Sequence, residues 1–454
     1  MITLVAFVAA LGLLIAVHEY GHYRMAVACG VKVLRFSVGF GKPLLTWQRK
    51  GSSTEFVLAM LPLGGYVRML DEREAPVDPS ERHLAFNTQP LRSRALIVAA
   101  GPAANLLLAI FLYSVVNWSG VEEPKPVLGS PVVASLADRA GLRGGEWVLQ
   151  TAQPDEAPSD VNSFEDLRWR LTQAALSNQD MTLWVSDSEA GSTRAVTLPF
   201  ADLDVREADA SLFQRIGLVG PWSEPVVGEV MAGGAAAAAG LLDGDRVLKV
   251  DGQPVGDGQR LRVLIRAGVG PAGQAVEQRW EIRRGAQTLG LLVKPAPEQQ
   301  GDAWVGRVGA YIGAVPEMVT VRFGPLDGLW EGAVRTAEVS WLTLKMMGRM
   351  VIGEASLKNL SGPLTIADYA GKSASLGFTS YLLFLALISV SLGVLNLLPL
   401  PVLDGGHLMY YLWEGVTGRS VSEAWMERLQ RGGVVILLAL MSVALFNDVA
   451  RLAG

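Results

Sequence analysis

The chain has 454 residues and a formal net charge of −5, with a pI near 5.6, a balance that gives nucleic acid no basic face to bind. Half of the residues are hydrophobic and only 18% are charged; with a mean hydropathy of +0.30 this excludes an ordinary soluble protein of such length and indicates a membrane protein. The single cysteine, Cys29, excludes an intrachain disulfide and a cysteine-built zinc cluster.

The first element is an apolar run over residues 2–22, about 30 Å long as a helix and so matched to the hydrocarbon thickness. It has no basic start and leads directly into His18-Glu19-Tyr20-Gly21-His22, so it is expected to remain as a membrane span rather than be cleaved as a signal peptide. On a helix, positions four apart share a face, which lets His18 and His22 reach one ion with Glu19 beside them. The chain has four histidines, and chance would give a His-Glu-x-x-His spacing on the order of 0.002 times in a chain of this composition. Two imidazoles and a carboxylate in an apolar segment cost several kcal/mol unless something compensates them, and an ion does. Zinc accepts neutral imidazole and, in a catalytic site, keeps one position open for a water that a nearby carboxylate deprotonates.

Residues 23–93 form a connection with basic residues from Arg24 to Arg92, which the positive-inside tendency assigns to the cytoplasm, with the N-terminus outside. Within it, residues 55–70 read as a hairpin of two apolar strands around Pro62, Gly64 and Gly65. Beside a membrane such a hairpin is either an edge that pairs with an unwound substrate or a small cytoplasmic structural element. The second span, residues 94–118, contains Gly101-Pro102-Ala103-Ala104-Asn105. Its small residues permit close packing against the zinc helix, and Asn105 must find a partner.

Charges, glycines and short β-like runs return over residues 119–378. Ala140-Gly-Leu-Arg-Gly-Gly-Glu-Trp-Val-Leu149 matches Ala239-Gly-Leu-Leu-Asp-Gly-Asp-Arg-Val-Leu248 at a constant offset of 99, so two similar domains are expected, at 122–220 and 221–310. Their pattern resembles a circularly permuted bacterial PDZ domain, the first copy diverging at Gln150-Thr-Ala-Gln153. PDZ grooves add a peptide as an extra strand; the two domains are read either as receptors for peptide tails or as a steric plug, and the sequence does not identify the groove residues. From Trp330 to Val351 apolar residues recur at helical spacing, an amphipathic helix that either lies on the outer membrane surface or packs on the PDZ-like domains, within a helix-and-linker segment at 325–378.

The third span is placed at 379–405 and the fourth at 433–450, joined by a cytoplasmic connection, 406–432, carrying Arg419, Arg428 and Arg431. Both termini and the long intervening segment then lie outside. The expected fold class is an α-helical polytopic membrane protein, with four transmembrane helices and a membrane-associated β-hairpin, plus two α+β PDZ-like domains. Within Asn396-Leu-Leu-Pro-Leu-Pro-Val-Leu-Asp-Gly-Gly-His407, Pro399 and Pro401 break the third span, which is acceptable at membrane depth only around a polar cavity. Asp404 is favoured as a third zinc ligand because it lies in a Gly-flanked turn; His407 is the competing ligand. Asn396 is read either as a donor to a substrate carbonyl or developing oxyanion, or as a cap on the broken helix.

Together, HEYGH, GPAAN, NLSGP at 359–363 and NLLPLPVLDGGH, set around two PDZ-like repeats, resemble the site-2 protease family of intramembrane zinc metalloproteases over essentially the whole chain. GFGKP at 39–43 and LPLGGYVRMLDE at 61–72 resemble that family's re-entrant β-loop. The resemblance implies one zinc ion per chain held by His18, His22 and Asp404, with Glu19 as general base. It also implies a substrate-facing segment of Asn396, Pro399 and Pro401, with Gly64, Gly65 and Tyr66 of the β-loop alongside. It further implies the bacterial inner membrane, PDZ-like domains in the periplasm and single-pass membrane substrates already shortened on the outer side, such as an anti-sigma factor in envelope-stress signalling, or remnant signal peptides. Two other classes compete. A non-catalytic PDZ-bearing scaffold or chaperone has no need of a base beside a metal, and a metal transporter fits poorly with four spans and a long outer segment of peptide-binding character.

Overall fold

In the computed structural model the N-terminal apolar run forms α1 (Ile2–Ala28), which continues past the expected end at His22. Tertiary packing extends it: Ala26 is fully buried in a cluster with Val31, Val33 and Ile97, against which Tyr23 and Met25 also lie. The structure describes residues 2–189, 191–203, 210–301, 303–353 and 362–453, in two compact units, Met1–Gly120 with Arg322–Gly454, and Val121–Val321.

After α1 come β1 (Val33–Gln48) and β2 (Glu55–Met69). Residues 55–69 are therefore one bent strand and not the self-contained hairpin expected there. The register places four segments side by side: 45–48 against 55–58, 55–58 against 35–38, and 35–38 against 65–68. Between Val38↔Gly65 and Phe40↔Leu61 the second strand carries two more residues than the first, a bulge at the position where Pro62 lacks a ladder donor. This sheet packs on α1. Helix α2 (Leu91–Ser119) follows, with Gly101 and Pro102 buried inside it.

The second unit repeats one plan. In the first copy, β3 (Val121–Pro124) precedes α3 (Leu136–Arg139), β4 (Trp147–Ala152), β5 (Ser159–Asp160), α4 (Phe164–Ser177), β6 (Met181–Ser186), β7 (Arg194–Leu198) and α5 (Ala210–Ile216). The second copy runs β8 (Val227–Val230), α6 (Ala235–Ala238), β9 (Arg246–Val250), β10 (Gln253–Pro254), α7 (Gly258–Arg266), β11 (Gln278–Arg284) and β12 (Gln287–Val293). Its sheet order β10-β9-β11-β12 repeats the first copy's β5-β4-β6-β7. A hairpin of β13 (Ala296–Gln300) and β14 (Ala303–Arg307) follows; β15 (Ala310–Ile312) then pairs with β8, and β16 (Met318–Val321) with β3.

The copies agree because the same chemistry recurs at the matched positions. Glu146 accepts the Arg143 N–H at 2.8 Å and pairs with Arg194 at 2.6 Å; Asp245 accepts the Leu242 N–H at 2.9 Å and pairs with Arg284 at 2.7 Å. Ser163 and Asp257 cap α4 and α7 by accepting the N–H of Asp166 and Arg260.

The chain then returns to the first unit. Helix α8 (Pro325–Val351) lies along α2 through its small residues. A Cβ on Gly332 would fall 2.7 Å from Ser114 Oγ, and one on Gly328 2.6 Å from the Trp118 ring, the close approach that small residues four apart allow. Trp330 and Trp341 remain exposed. The linker expected up to residue 378 contains a further helix, α9 (Pro363–Leu376); residues 359–361 of the NLSGP motif lie outside the described residues. A buried carboxylate caps α9 from another element: Asp448 accepts N–H bonds from Gly362, Leu364 and Thr365 at 2.9–3.2 Å.

The third span, α10 (Phe378–Leu397), ends earlier than expected, because Leu398 and Leu400 precede prolines and a residue before proline is pushed out of the helical region. Leu398 is extended, with φ −64° and ψ 146°. The connection expected at 406–432 is instead mostly helical, comprising α11 (Asp404–Thr417) and the start of α12 (Glu423–Ala453). Helices α1, α2, α10 and α12 are long and apolar enough to cross a membrane.

In the second unit, burial raises the Asp245 carboxyl pKa, but the Arg284 hydrogen bond and the Leu242 N–H outweigh it and hold the group below the usual carboxylate value. A depressed folded-state pKa stabilises the fold above the unfolded value, near 3.9, and that contribution fades as pH falls through the folded value. Arg284→Leu should therefore cost roughly 2 kcal/mol of local stability at pH 7, read as lost amide protection in β9. The difference from wild type should shrink below about pH 4; a pH-independent difference would assign the effect to packing.

Candidate metal centre

The site is built where three helices converge. On α1, His18 and His22 sit four residues apart on one face, their rings 4.8 Å apart in an edge-on arrangement. Asp404 opens α11, where the helix N-terminus favours a carboxylate. Its Oδ2 lies 3.2 Å from His18 Nε2 and 3.5 Å from His22 Nε2, and the two ring nitrogens are 3.1 Å apart. Among the described residues these three side chains form the one group able to hold a metal ion. A tetrahedral zinc with bonds of about 2.0–2.1 Å needs donor atoms about 3.3–3.4 Å apart, so the observed separations fit it.

The turn that delivers Asp404 requires glycine on its far side. A Cβ on Gly405 would fall 2.1 Å from the Leu398 carbonyl oxygen, and one on Gly406 2.3 Å from that of Leu400. The broken end of α10 thus folds tightly against the start of α11. Its last turn is closed by the Leu398 N–H donating to the Leu395 carbonyl. Asn396 is half-buried there, Pro399 is exposed and Pro401 is half-buried. His407, the competing ligand, lies outside the donor group and packs edge-on against Tyr410.

Helix α2 supports both histidines from behind. His22 Nδ1 lies 2.8 Å from the Ile97 carbonyl oxygen; a carbonyl only accepts, so Nδ1 carries the proton and Nε2 presents its lone pair to the donor group. Gly101 leaves room for the ring, since a Cβ there would fall 2.2 Å from His22 Nε2. One turn further along α2, Asn105 reaches His18 Nδ1 at 3.4 Å. Arg94, at the start of α2, forks onto Glu414 at 2.6 and 3.3 Å and lies over the Tyr411 ring, fixing the helix that carries Asp404.

Glu19 lies within electrostatic reach of both imidazoles and of Asp404. On its other side is β2: a Cβ on Gly65 would fall 2.7 Å from Glu19 Cγ. Gly64 leaves space for the Phe40 ring, and Tyr66 stacks on that ring. The structure therefore brings together His18, Glu19, His22, Asp404 and Gly65, with Gly64 and Tyr66 next to them. The Ile97 carbonyl and the Arg94–Glu414 pair were not singled out by sequence reasoning, whereas Gly101 was read there only as a small residue for packing against the zinc helix. A backbone carbonyl has no residue type to announce it, and a pair 320 residues apart leaves no local signal.

A histidine–histidine–carboxylate donor group with a second carboxylate beside it, at the core of a bundle of apolar helices, defines a metallohydrolase class of membrane protein. The model of peptidase family M50 matches residues 6–440. A Ralstonia nicotianae protein named as a zinc metalloprotease is 42% identical, covering 100% of this chain and 99% of its own length. The regulator of sigma-E protease of Escherichia coli is 40% identical over 99% of this chain and 98% of its own, and the Salmonella typhi protein of that name has the same identity and coverage. The chain belongs to peptidase family M50, the site-2 proteases, and is a zinc metalloprotease. A non-catalytic scaffold and a transporter are set aside by that membership.

Gly101→Ala should push the His22 ring off its position and lower both bound zinc and proteolytic activity by about tenfold or more. Gly12→Ala, on α1 with nothing within 4 Å of the added carbon, should leave both unchanged. Metal analysis and a cleavage assay on the two proteins check this; equal behaviour would show that the contact at Gly101 relaxes freely.

Proposed function

We propose that His18, His22 and Asp404 hold the catalytic zinc, that Glu19 is the general base, and that the enzyme cuts single-pass membrane proteins within or near their membrane segment. The observation that carries this reading is the three-donor group with separations of 3.1–3.5 Å, with Glu19 held between it and the Gly65 backbone. Bound zinc would supply Lewis acidity to water and to the scissile carbonyl. Glu19 takes a proton from the attacking water and hands it to the leaving amine as the C–N bond breaks. Asn396, in the last turn of α10, donates a hydrogen bond to the developing oxyanion.

A helical substrate hides its carbonyls in its own backbone bonds and must unwind first. Residues 65–68 form the end segment of the β1–β2 sheet, and this edge lies next to Glu19. An extended substrate adding to that edge would be presented to the base, with Tyr66, Pro399 and Pro401 lining its course. The two repeats of the second unit act as PDZ-like domains that hold peptide tails or exclude substrates with bulky outer domains. Substrates are then proteins already trimmed outside; the relatives named as regulators of sigma-E favour an anti-sigma factor, with remnant signal peptides as a second class. In this reading the chain sits in the bacterial inner membrane with the repeats in the periplasm and both termini outside.

Glu19→Gln is expected to retain zinc while losing cleavage of an outer-trimmed single-pass substrate by roughly 10²–10⁴-fold. Full activity in that variant would reject Glu19 as the base. Removing residues 125–300 should permit cleavage of untrimmed substrate, and an unchanged requirement for trimming would sink the size-filter role.

A further inference from the structure

Asn105 is 1% exposed, and its two amide atoms face unequal surroundings. Nδ2 lies 3.4 Å from His18 Nδ1, whereas Oδ1 is buried with no hydrogen-bond partner. Leaving an amide oxygen orphaned in a dry bundle costs about 1–3 kcal/mol. The contact that Nδ2 makes is also the wrong one for a metal ligand. If His18 offers the lone pair of Nε2 to zinc, as the reading above requires, a neutral ring must carry its proton on Nδ1. Two N–H groups would then point at each other. Rotating the amide by half a turn about its last torsion fills the same volume and lets Oδ1 accept the His18 Nδ1–H, which ends the clash of N–H groups and gives the oxygen a partner, with Nδ2 taking the place the oxygen leaves.

From this geometry we infer that Asn105 is a positioning residue for the metal centre: through Oδ1 it holds His18 in the tautomer and ring orientation that presents Nε2 to zinc. The pairing has a counterpart one turn away, where the Ile97 carbonyl does the same for His22. Helices α1 and α2 thus carry two matched ligand–acceptor pairs. The backbone at Asn105 is itself anchored, since Ser389 on α10 donates its hydroxyl to the Asn105 carbonyl at 2.7 Å. Acceptors in this position orient a ligating imidazole and raise its basicity, and their loss typically costs 10–100-fold in metal affinity.

The inference rests on His18 being a ligand, so the experiment carries a control for that. Full-length wild type, Asn105→Leu, Asn105→Asp and His18→Ala are purified in detergent and loaded with zinc. The rate of zinc loss to a colorimetric chelator is followed, with detergent elution profiles checking the fold. Asn105→Leu keeps the volume and removes the acceptor; zinc should be held 10–100-fold less tightly. Asn105→Asp keeps the acceptor and should restore retention to within a fewfold of wild type. A residue that only packs would give the opposite order, tolerating leucine and suffering from a buried charge. Should the leucine variant fail to fold, Asn105→Ala replaces it and removes the acceptor without demanding space. Retention unchanged in the leucine or alanine variant, or lost equally with aspartate, overturns the role of Asn105 while leaving the ligand set standing. Retention unchanged in His18→Ala overturns the ligand set itself.

Discussion

The structure depends on one electrostatic problem: two imidazoles and two carboxylates gathered inside a bundle of apolar helices. Uncompensated, such groups cost several kcal/mol each. A divalent ion shared among His18, His22 and Asp404, as proposed above, would offset that cost and leave Glu19 beside it to exchange a proton. The same three side chains bring α1 against α11, elements almost four hundred residues apart, so the donor group and the packing of this unit are one arrangement. Proline and glycine perform the complementary tasks: Pro399 and Pro401 stop α10, and Gly405 and Gly406 let the returning chain press against the carbonyls exposed by that stop.

Helix α2 is the template for this arrangement. Asn105 meets His18, and Gly101 and Ile97, one and two turns back along α2, both meet His22, one turn on along α1. At its start Arg94 holds α11, at Asn105 its backbone holds Ser389 of α10, and near its end Ser114 and Trp118 receive the glycines of α8. The bundle is tied at a second point by Asp448, which caps α9 from α12. A buried carboxylate fully satisfied by N–H donors is stable where an isolated one would not be. These ties hold the donor-bearing helices and their neighbours together.

Much of the site was legible in the chain because its determinants are local. HEYGH needs only helical spacing to put two imidazoles on one face, Asp404 is the lone carboxylate in a proline-broken segment, and the offset of 99 announces the repeat that the two sheets then display. What escaped depends on distant pairing. Residues 55–70 carry strand propensity on both sides of Pro62, and nothing local says that the partner is 33–48 rather than the segment itself. Helices α9 and α11 are short and flanked by glycine and proline, so their sequences read as linker; α9 is stabilised by the Asp448 cap and α11 by the Arg94–Glu414 pair, neither of which has a local signature. The hydrogen bond from His22 to the Ile97 carbonyl is invisible for the same reason, since a backbone oxygen has no letter.

The most direct measurement is X-ray absorption at the zinc edge of the purified enzyme, wild type and His18→Phe. Two imidazole scatterers and oxygen, all at about 2.0–2.1 Å, with one imidazole lost in the variant, are the predicted result. A sulfur scatterer near 2.3 Å, or a first shell unchanged when His18 is replaced, would contradict the ligand set on which the whole bundle is built.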